Sequence, residues 1–385
     1  MRKVAIVGVG HSKFGDRRDV NLPELAFEAA KPAFEDANLA TKDIDFLSVG
    51  TAGGWYEETL PAVVISEYLG LSGKGLMRCE AACASGSAAI ATAHDTIASG
   101  QNDVAMAVGI EKMTEIDTPT AVELIGRAGY YTWEFHNFGV TFPGYYALHA
   151  TAHMKRYGTK EEQLAKVAVK NHKYGSMNPN AHLQRIIKIE DVLSSRMVAW
   201  PLKLYDCCPM SDGAAAVILA SEEKAKSITD SPIWIEAIGV SSDTANVSKR
   251  SGYTGLQATV TASQKAFKKA NVEPDEFDIA DVHDCFTIAE LLAYEDLGFC
   301  KKGEAGRMID EGQTEIGGKV PVNVDGGLKA KGHPIGATGT SMVVGLTRQL
   351  RKEGGNMQAP IKNGLALAHN VGGTGHYCYV TVLRS

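Results

Sequence analysis

The sequence has no two cysteines spaced by two residues, no apolar run approaching the roughly 18 residues that cross a bilayer, and no surplus of positive charge. Each absence excludes a class of protein. Without the paired-cysteine spacing the usual framework for zinc is missing. His149 and His153 share a helical face but lack the glutamate of the zinc-protease pattern, so no metal is expected. Without an apolar span no membrane association is expected. A net charge of −6 over 385 residues gives no basic footprint for nucleic acid. Seven cysteines, an odd number without regular spacing, point to free thiols in a reducing compartment rather than a disulfide framework. Met1-Arg2-Lys3 followed by Val4 to Val9 is too short and glycine-broken for a signal peptide, so a cytoplasmic location is expected. Two glycine-rich look-alikes also fail. Gly8-Val9-Gly10-His11 lacks the third glycine of a dinucleotide fingerprint and reads as a strand-end turn, while Gly70 to Gly75 lacks the ending of a phosphate loop.

What is present is enough apolar sequence for two ordinary cores, 44% hydrophobic against 22% charged, and four segments that carry chemistry. The first is Glu80-Ala81-Ala82-Cys83-Ala84-Ser85-Gly86, leading into a small-residue helical stretch from Ser87 to Ile97. A cysteine at a helix start feels the positive end of the peptide dipoles, which favours its thiolate. The second is His283-Asp284-Cys285-Phe286, between the strand-like run Phe277 to Val282 and a helical pattern from Thr287 to Leu297. It adds a second thiol and a second imidazole. The third is Gly332-His333-Pro334, where Pro334 suits a first helical turn and presents His333 at a helix mouth. Histidine accepts a thiol proton near neutral pH, so Cys83 and His333 read as a nucleophile and its base. The fourth is Ala368-His369-Asn370-Val371-Gly372-Gly373, a strand breaking into glycines whose N–H groups can hold an oxyanion.

An internal repeat places these segments together. Ala33-Phe34, Ala37-Asn38-Leu39, Asp45 and Val49 match Ala266-Phe267, Ala270-Asn271-Val272, Asp278 and Val282 at one constant offset. Each copy reads helix, short turn, strand, and the Cys83 and His333 helices fall at corresponding places. The expected organisation is a first half over residues 1–232 and a second over 233–385. A segment of about 113–201 fits neither copy and reads as a loop domain inserted over the cleft. Its aromatic start, Tyr130 to Phe138, has no clean period, and an amphipathic helix follows around Tyr145 to Tyr157.

The four segments, in this order, resemble the active-site loops of the thiolase superfamily, and the resemblance covers nearly the whole chain. Tyr157 to Ala165, Val169-Lys170-Asn171-His172 and Asn178-Pro179 also resemble the thiolase loop domain. The His-Asp-Cys-Phe version is similar to that of the sterol carrier protein-type and archaeal acetyl-CoA acetyltransferases. It departs from the common bacterial pattern, which has Asn-Glu-Ala-Phe there and a cysteine where Asn370 stands. Cys285 is the natural substitute for that missing acid/base thiol.

The resemblance implies a thiolase fold of class α/β, two similar halves in a layered α-β-α-β-α arrangement. It implies condensation of two acetyl-CoA to acetoacetyl-CoA, reversibly, through acetyl-Cys83. His333 would be the base for Cys83 and Cys285 the base for the second substrate. His283 and His333 would face the enolate oxygen, and the N–H groups of Cys83 and Gly372 the tetrahedral oxyanion. Coenzyme A would be substrate and product, with no resident cofactor. CoA contacts are not legible beyond Ser241 to Tyr253 as a candidate wall. A homodimer or homotetramer, a place in the mevalonate pathway, and a complex with a hydroxymethylglutaryl-CoA synthase through a small bridging protein are further expectations. The alternatives are a degradative 3-ketoacyl-CoA thiolase, a thiolase-fold carbon–carbon lyase working with a second protein, and, from another class, a non-catalytic acyl-CoA or lipid-binding scaffold. A hydroxymethylglutaryl-CoA synthase itself would not be expected to carry both Gly-His-Pro and His-Asp-Cys-Phe.

Overall fold

In the computed structural model, which describes residues 2–385, the repeat becomes two half-sheets. The first half opens with β1 (Val4–His11), α1 (Leu22–Ala37), β2 (Phe46–Gly50), α2 (Pro61–Tyr68), β3 (Gly75–Cys79), α3 (Ser85–Ala98) and β4 (Val104–Glu111). An insertion follows, with α4 (Thr118–Gly126), α5 (Phe142–Tyr157), α6 (Glu161–Gly175), α7 (Ile189–Leu193) and a hairpin of β5 (Met197–Ala199) and β6 (Leu202–Lys203). Strand β7 (Gly213–Ser221) and helix α8 (Glu222–Ile228) close that half. The second half comprises β8 (Ile233–Ser242), α9 (Gln257–Ala270), β9 (Ile279–Val282), α10 (Thr287–Asp296), α11 (Ala305–Asp310), α12 (Thr338–Leu350), β10 (Leu365–Gly372) and β11 (Tyr377–Arg384).

Among the described residues nine strands run in the order β3-β2-β4-β7-β1-β8-β11-β10-β9. Among the described residues the two half-sheets are hydrogen-bonded to each other where β1 meets β8, through Ala5 with Trp234 and Ile6 with Ile233. Each half has the same plan, a parallel inner pair (β2 with β4, β9 with β10) flanked by an antiparallel neighbour (β7, β11). Val322 bridges Ala280 in parallel, at the place that β3 takes beside β2.

The matched residues do matched work. Asn38 and Asn271 end α1 and α9 in the left-handed conformation, at φ 50° and 53°, which asparagine tolerates better than most residues. The Asp45 carboxylate accepts from the N–H groups of Asp103 and Val104, and that of Asp278 from Asn363 and Leu365, so each ties the start of its inner strand to the next. Gly10 and Gly239 lie inside their strands, where a Cβ would sit 2.0 Å from the Ala29 carbonyl oxygen and 2.1 Å from that of Ala262. Gly8 and Gly10 are thus no strand-end turn: β1 continues to His11, and its glycines let α1 press onto the sheet.

Alternate faces of β1 bury into different cores. Ala5 and Val7 pack with α1, and Val4, Ile6 and Val9 with the interior between the halves, so the strand reads as a continuous apolar run. Helix α1 covers the outer face of the first half-sheet and α9 that of the second. Helices α3 and α12 touch each other between the two, giving the α-β-α-β-α layering. Their small residues permit the close crossing: a Cβ on Gly86 would fall 2.7 Å from the Gly336 carbonyl oxygen and 2.9 Å from the Thr340 nitrogen.

Candidate active site

Cys83 stands two residues before α3, in a tight turn closed by the Ala84 N–H to the Ala81 carbonyl (3.0 Å) and the Ser85 N–H to the Ala82 carbonyl (3.1 Å). Ala82 is held at φ 50°, a left-handed conformation that costs a residue with a Cβ about 1–3 kcal/mol and persists only where surroundings over-determine it. Here Ser85 does so, its Oγ donating to the Ala82 carbonyl (2.6 Å) while accepting the Ala81 N–H (2.9 Å). The thiol itself is buried, and burial pushes its pKa up to about 12 against the help of the Gly373 N–H and its own N–H. The help expected from the helix start is therefore outweighed, and Cys83 is a thiol whose proton His333 must take. Helix α3 begins only at Ser85, and removal of water outweighs its dipole.

One reactive atom from each of Cys83, His283 and His333 lies within 4.8 Å of the other two. The hydrogen bonds around the two rings assign their tautomers. Thr338 Oγ1 donates to the Pro334 carbonyl (3.0 Å), so toward His333 Nδ1 (2.7 Å) it can only accept. His333 therefore carries its hydrogen on Nδ1 and keeps a free lone pair on Nε2. Asn370 works in the opposite sense. Its Oδ1 accepts from Ser87 Oγ (2.9 Å), which turns its Nδ2 toward the Cys83 carbonyl (3.0 Å) and His283 Nδ1 (3.2 Å). His283 then holds its hydrogen on Nε2, an atom buried without a protein partner. The rings are nearly perpendicular, 5.1 Å apart. Burial lowers the pKa of His333 to about 3 and that of His283 well below its ordinary value, so both imidazoles are neutral at neutral pH. One is an acceptor and the other a donor.

Helix α12 starts at Thr338 rather than at Pro334, whose carbonyl instead accepts the N–H groups of Ala337 and Thr338 in a turn. His333 thus owes its setting to Thr338 and to Ser211, whose Oγ accepts its N–H (3.3 Å), and not to a first helical turn. Cys285 is buried, and burial first, then the nearby Cys208 and Cys83, raise its pKa well above the ordinary thiol value. At the glycine loop the N–H aimed at the Cys83 sulfur is that of Gly373. Gly372, one residue earlier, is pressed against the first turn, where a Cβ would meet the Ala81 carbonyl oxygen at 2.1 Å.

Asp284 ties these loops together. It accepts the N–H groups of Leu328 (2.7 Å) and Lys329 (3.2 Å), just ahead of His333, and Asn171 Nδ2 (2.7 Å) from α6. Burial first, then the neighbouring Glu290, raise its pKa. Lys170 pairs with Glu290 at 2.5 Å, so α6 of the insertion braces both site loops. The Ser241 to Tyr253 segment reaches the glycine loop through Arg250, which donates to the Thr374 carbonyl (2.5 Å). Asn370, Asp284, Thr338 and Gly373 were not among the site residues expected from the sequence. Asp284 and Asn370 had a signal there, as the centre of one motif and the departure from another, and Gly373 as part of the glycine run; Thr338 had none.

A layered α/β fold built on an internal repeat, with a thiol and two complementary imidazoles at the junction of its halves, defines a thiolase. The chain belongs to that family: the model described as "Thiolase, N-terminal domain" matches residues 4–223, and that described as "Thiolase C-terminal domain-like" matches residues 239–385. Among individual proteins, the acetyl-CoA acetyltransferase of Methanothermobacter thermautotrophicus is 44% identical over 377 residues, 97% of each chain. That of Methanocaldococcus jannaschii is 43% identical over 391 residues, covering 100% of this chain and 99% of the relative. Human sterol carrier protein 2 is 34% identical, over 97% of this chain and 70% of that protein. Among solved structures, the Ltp2-ChsH2(DUF35) aldolase superposes with a TM-score of 0.87 at 26% identity, covering 100% of this chain and 98% of that one. The human mitochondrial 3-ketoacyl-CoA thiolase superposes at 0.78 with 18% identity, over 100% and 99%, a likeness of fold. The protein is an acyltransferase of the thiolase kind.

Proposed function

We propose that the protein condenses two molecules of acetyl-CoA to acetoacetyl-CoA and CoA, and runs the reverse thiolysis, through an acetyl group on Cys83. The observation that carries this reading is the pair of opposite tautomers beside the buried thiol: a free lone pair on His333 Nε2 and an unpartnered N–H on His283 Nε2. Coenzyme A is substrate and product, and no metal or resident cofactor takes part.

His333 Nε2 takes the Cys83 proton as the sulfur attacks the thioester carbonyl. The N–H groups of Cys83 and the Gly372-Gly373 turn stabilise the tetrahedral oxyanion, and the C–S bond to CoA breaks. Cys285 gives its proton to the departing CoA thiolate and is left as a thiolate. That thiolate removes an α-proton from the second acetyl-CoA, and the His283 Nε2–H holds the enolate oxygen. The enolate carbon attacks acetyl-Cys83, the Cys83–acetyl bond breaks, and the proton on His333 returns to Cys83. A thiol with raised proton affinity suits the α-proton step, because the α-carbon is a very weak acid.

The 43–44% identity to two acetyl-CoA acetyltransferases supports the acetyl substrate. Condensation is thermodynamically uphill, so a reaction that consumes the product must draw it on. Association with a synthase through a small bridging protein belongs to this reading, and co-purification as a homo-oligomer alone counts against that part. The reaction is tested by following acetoacetyl-CoA absorbance from acetyl-CoA, with labelled acetyl-CoA tracking the adduct. Cys83→Ala should abolish the labelled adduct, and its persistence would refute the nucleophile assignment. A second reading, a thiolase-fold carbon–carbon lyase, draws support from the TM-score of 0.87 to the aldolase assembly. Profiling 3-ketoacyl-CoAs and β-hydroxyacyl-CoAs separates the two.

A further inference from the structure

Tyr146, on α5, is completely buried, yet it was no part of the expected site. Its ring stacks on Phe286 at 4.6 Å and 25°, next to Cys285, and leans on Phe142 at 6.1 Å. A buried phenol hydroxyl needs partners, and this one has two within reach. One is the Gly373 carbonyl, at a long 3.5 Å. The other is the Cys285 side chain, brought alongside by the stacked Phe286, and each of the two groups shifts the other's titration. The hydroxyl therefore stands between the second thiol and the residue whose N–H is aimed at the first.

A phenol has one hydrogen to donate and lone pairs to accept. We propose that Tyr146 is a positioning residue whose hydroxyl hydrogen points to the Gly373 carbonyl while Cys285 is a thiol and swings to the sulfur when Cys285 becomes a thiolate. In the first arrangement the Cys285 S–H donates to the phenol oxygen. In the second the phenol O–H donates to the sulfur anion, and the Gly373 carbonyl gives up that donor. No bond to hydrogen breaks at the phenol; only its direction changes. Burial raises the phenol's pKa well above the ordinary value, which keeps it protonated throughout. A hydrogen bond to an ionised partner is stronger than one between neutral groups, so the swing favours the thiolate when it is needed. It also links the charge of one sulfur to the loop that contacts the other.

The inference rests on Cys285 being the proton carrier of condensation, and the test separates the two ideas. Tyr146→Phe keeps the ring and its stacking on Phe286, and thermal unfolding checks that the fold is intact. Expected are a fall of about 10- to 100-fold in condensation, acetylation of Cys83 within about threefold of the parent, and a condensation pH profile displaced to higher pH. In a Cys83→Ala background, the pH midpoint for alkylation of Cys285, read by peptide mass spectrometry, should rise when Tyr146→Phe is added. An unmoved midpoint, or acetylation and condensation falling together, overturns the inference. Full condensation by Cys285→Ala would instead overturn the assignment beneath it.

Discussion

A single amide decides which ring nitrogen faces the cleft. Asn370 accepts from Ser87 and donates to Cys83 and His283, so the donor character of His283 Nε2 is imposed from the far side of its ring. Asn370→Asp would put an acceptor where a donor now stands and draw the His283 hydrogen to Nδ1, leaving no N–H for the enolate oxygen. Condensation should then fall about 10²–10³-fold, the usual cost of one lost oxyanion donor, while acetylation of Cys83 falls much less. Steady-state condensation beside single-turnover acetyl transfer measures both, and equal losses would sink the tautomer assignment. Cys83, His283, Cys285 and His333 could be singled out in the sequence because they sit in three short local motifs. Their protonation states could not. The neutral Cys83 follows from burial by segments far away in the chain, and Asn370 read only as a missing cysteine. Tyr146 was invisible because its meaning comes from Phe286, Cys285 and Gly373, none of them a neighbour in sequence.

At the scale of elements, the contact between α3 and α12 sets how closely the Cys83 and His333 loops approach. Backbone meets backbone there, so an added methyl group has no flexible side chain to displace. Gly86→Ala should destabilise the fold by about 1–3 kcal/mol despite the better helix propensity of alanine, as overpacking does in a filled core. Gly15→Ala is the control, since a Cβ at that position meets nothing within 4 Å, and it should change stability by less than about 0.5 kcal/mol. Denaturant melts of the two variants decide it; equal midpoints would show that the helices can separate without cost. The helix boundaries themselves were partly legible. The reading of each repeat as helix, short turn, strand holds at α1 and α9, which end at Asn38 and Asn271, whereas Pro334 suggested a helix start that the chain delays to Thr338, because the turn carrying His333 needs those residues first. Gly8 and Gly10 misled in the same way, since glycine at a close helix contact and glycine in a turn look alike in one dimension.

For the whole molecule, the buried histidines govern behaviour in acid. His11, His333 and His369 have pKa values lowered to about 3, and His149 and His172 to about 4, with burial the first cause in each. His182, His283 and His376 are also lowered, again by burial first. In the unfolded chain these eight titrate near the ordinary value of about 6.5. Between that pH and about 4 the unfolded state therefore binds more protons, and the stability these histidines confer, fully present above about 6.5, is lost as pH falls. Buried carboxyls act in the opposite sense. Glu111, raised to about 7, and Asp206, Asp281, Asp284 and Asp296, also raised, hold protons that the unfolded chain has released, so their contribution is lost as pH rises through their folded values. Five such groups oppose eight, so the histidines should prevail and the melting temperature should fall steadily from pH 6.5 to 5. The site adds a sharper expectation. A His333 that stays neutral to about pH 3 cannot switch off acetylation by titrating near 6, so loss of acetyl transfer in acid should follow unfolding. Acetyl transfer and circular dichroism, measured on one sample across pH 4–7, should decline together; acetyl transfer lost with a midpoint near 6.5 in a still-folded protein would mean that water reaches His333 and that the neutral thiol–imidazole couple is wrong.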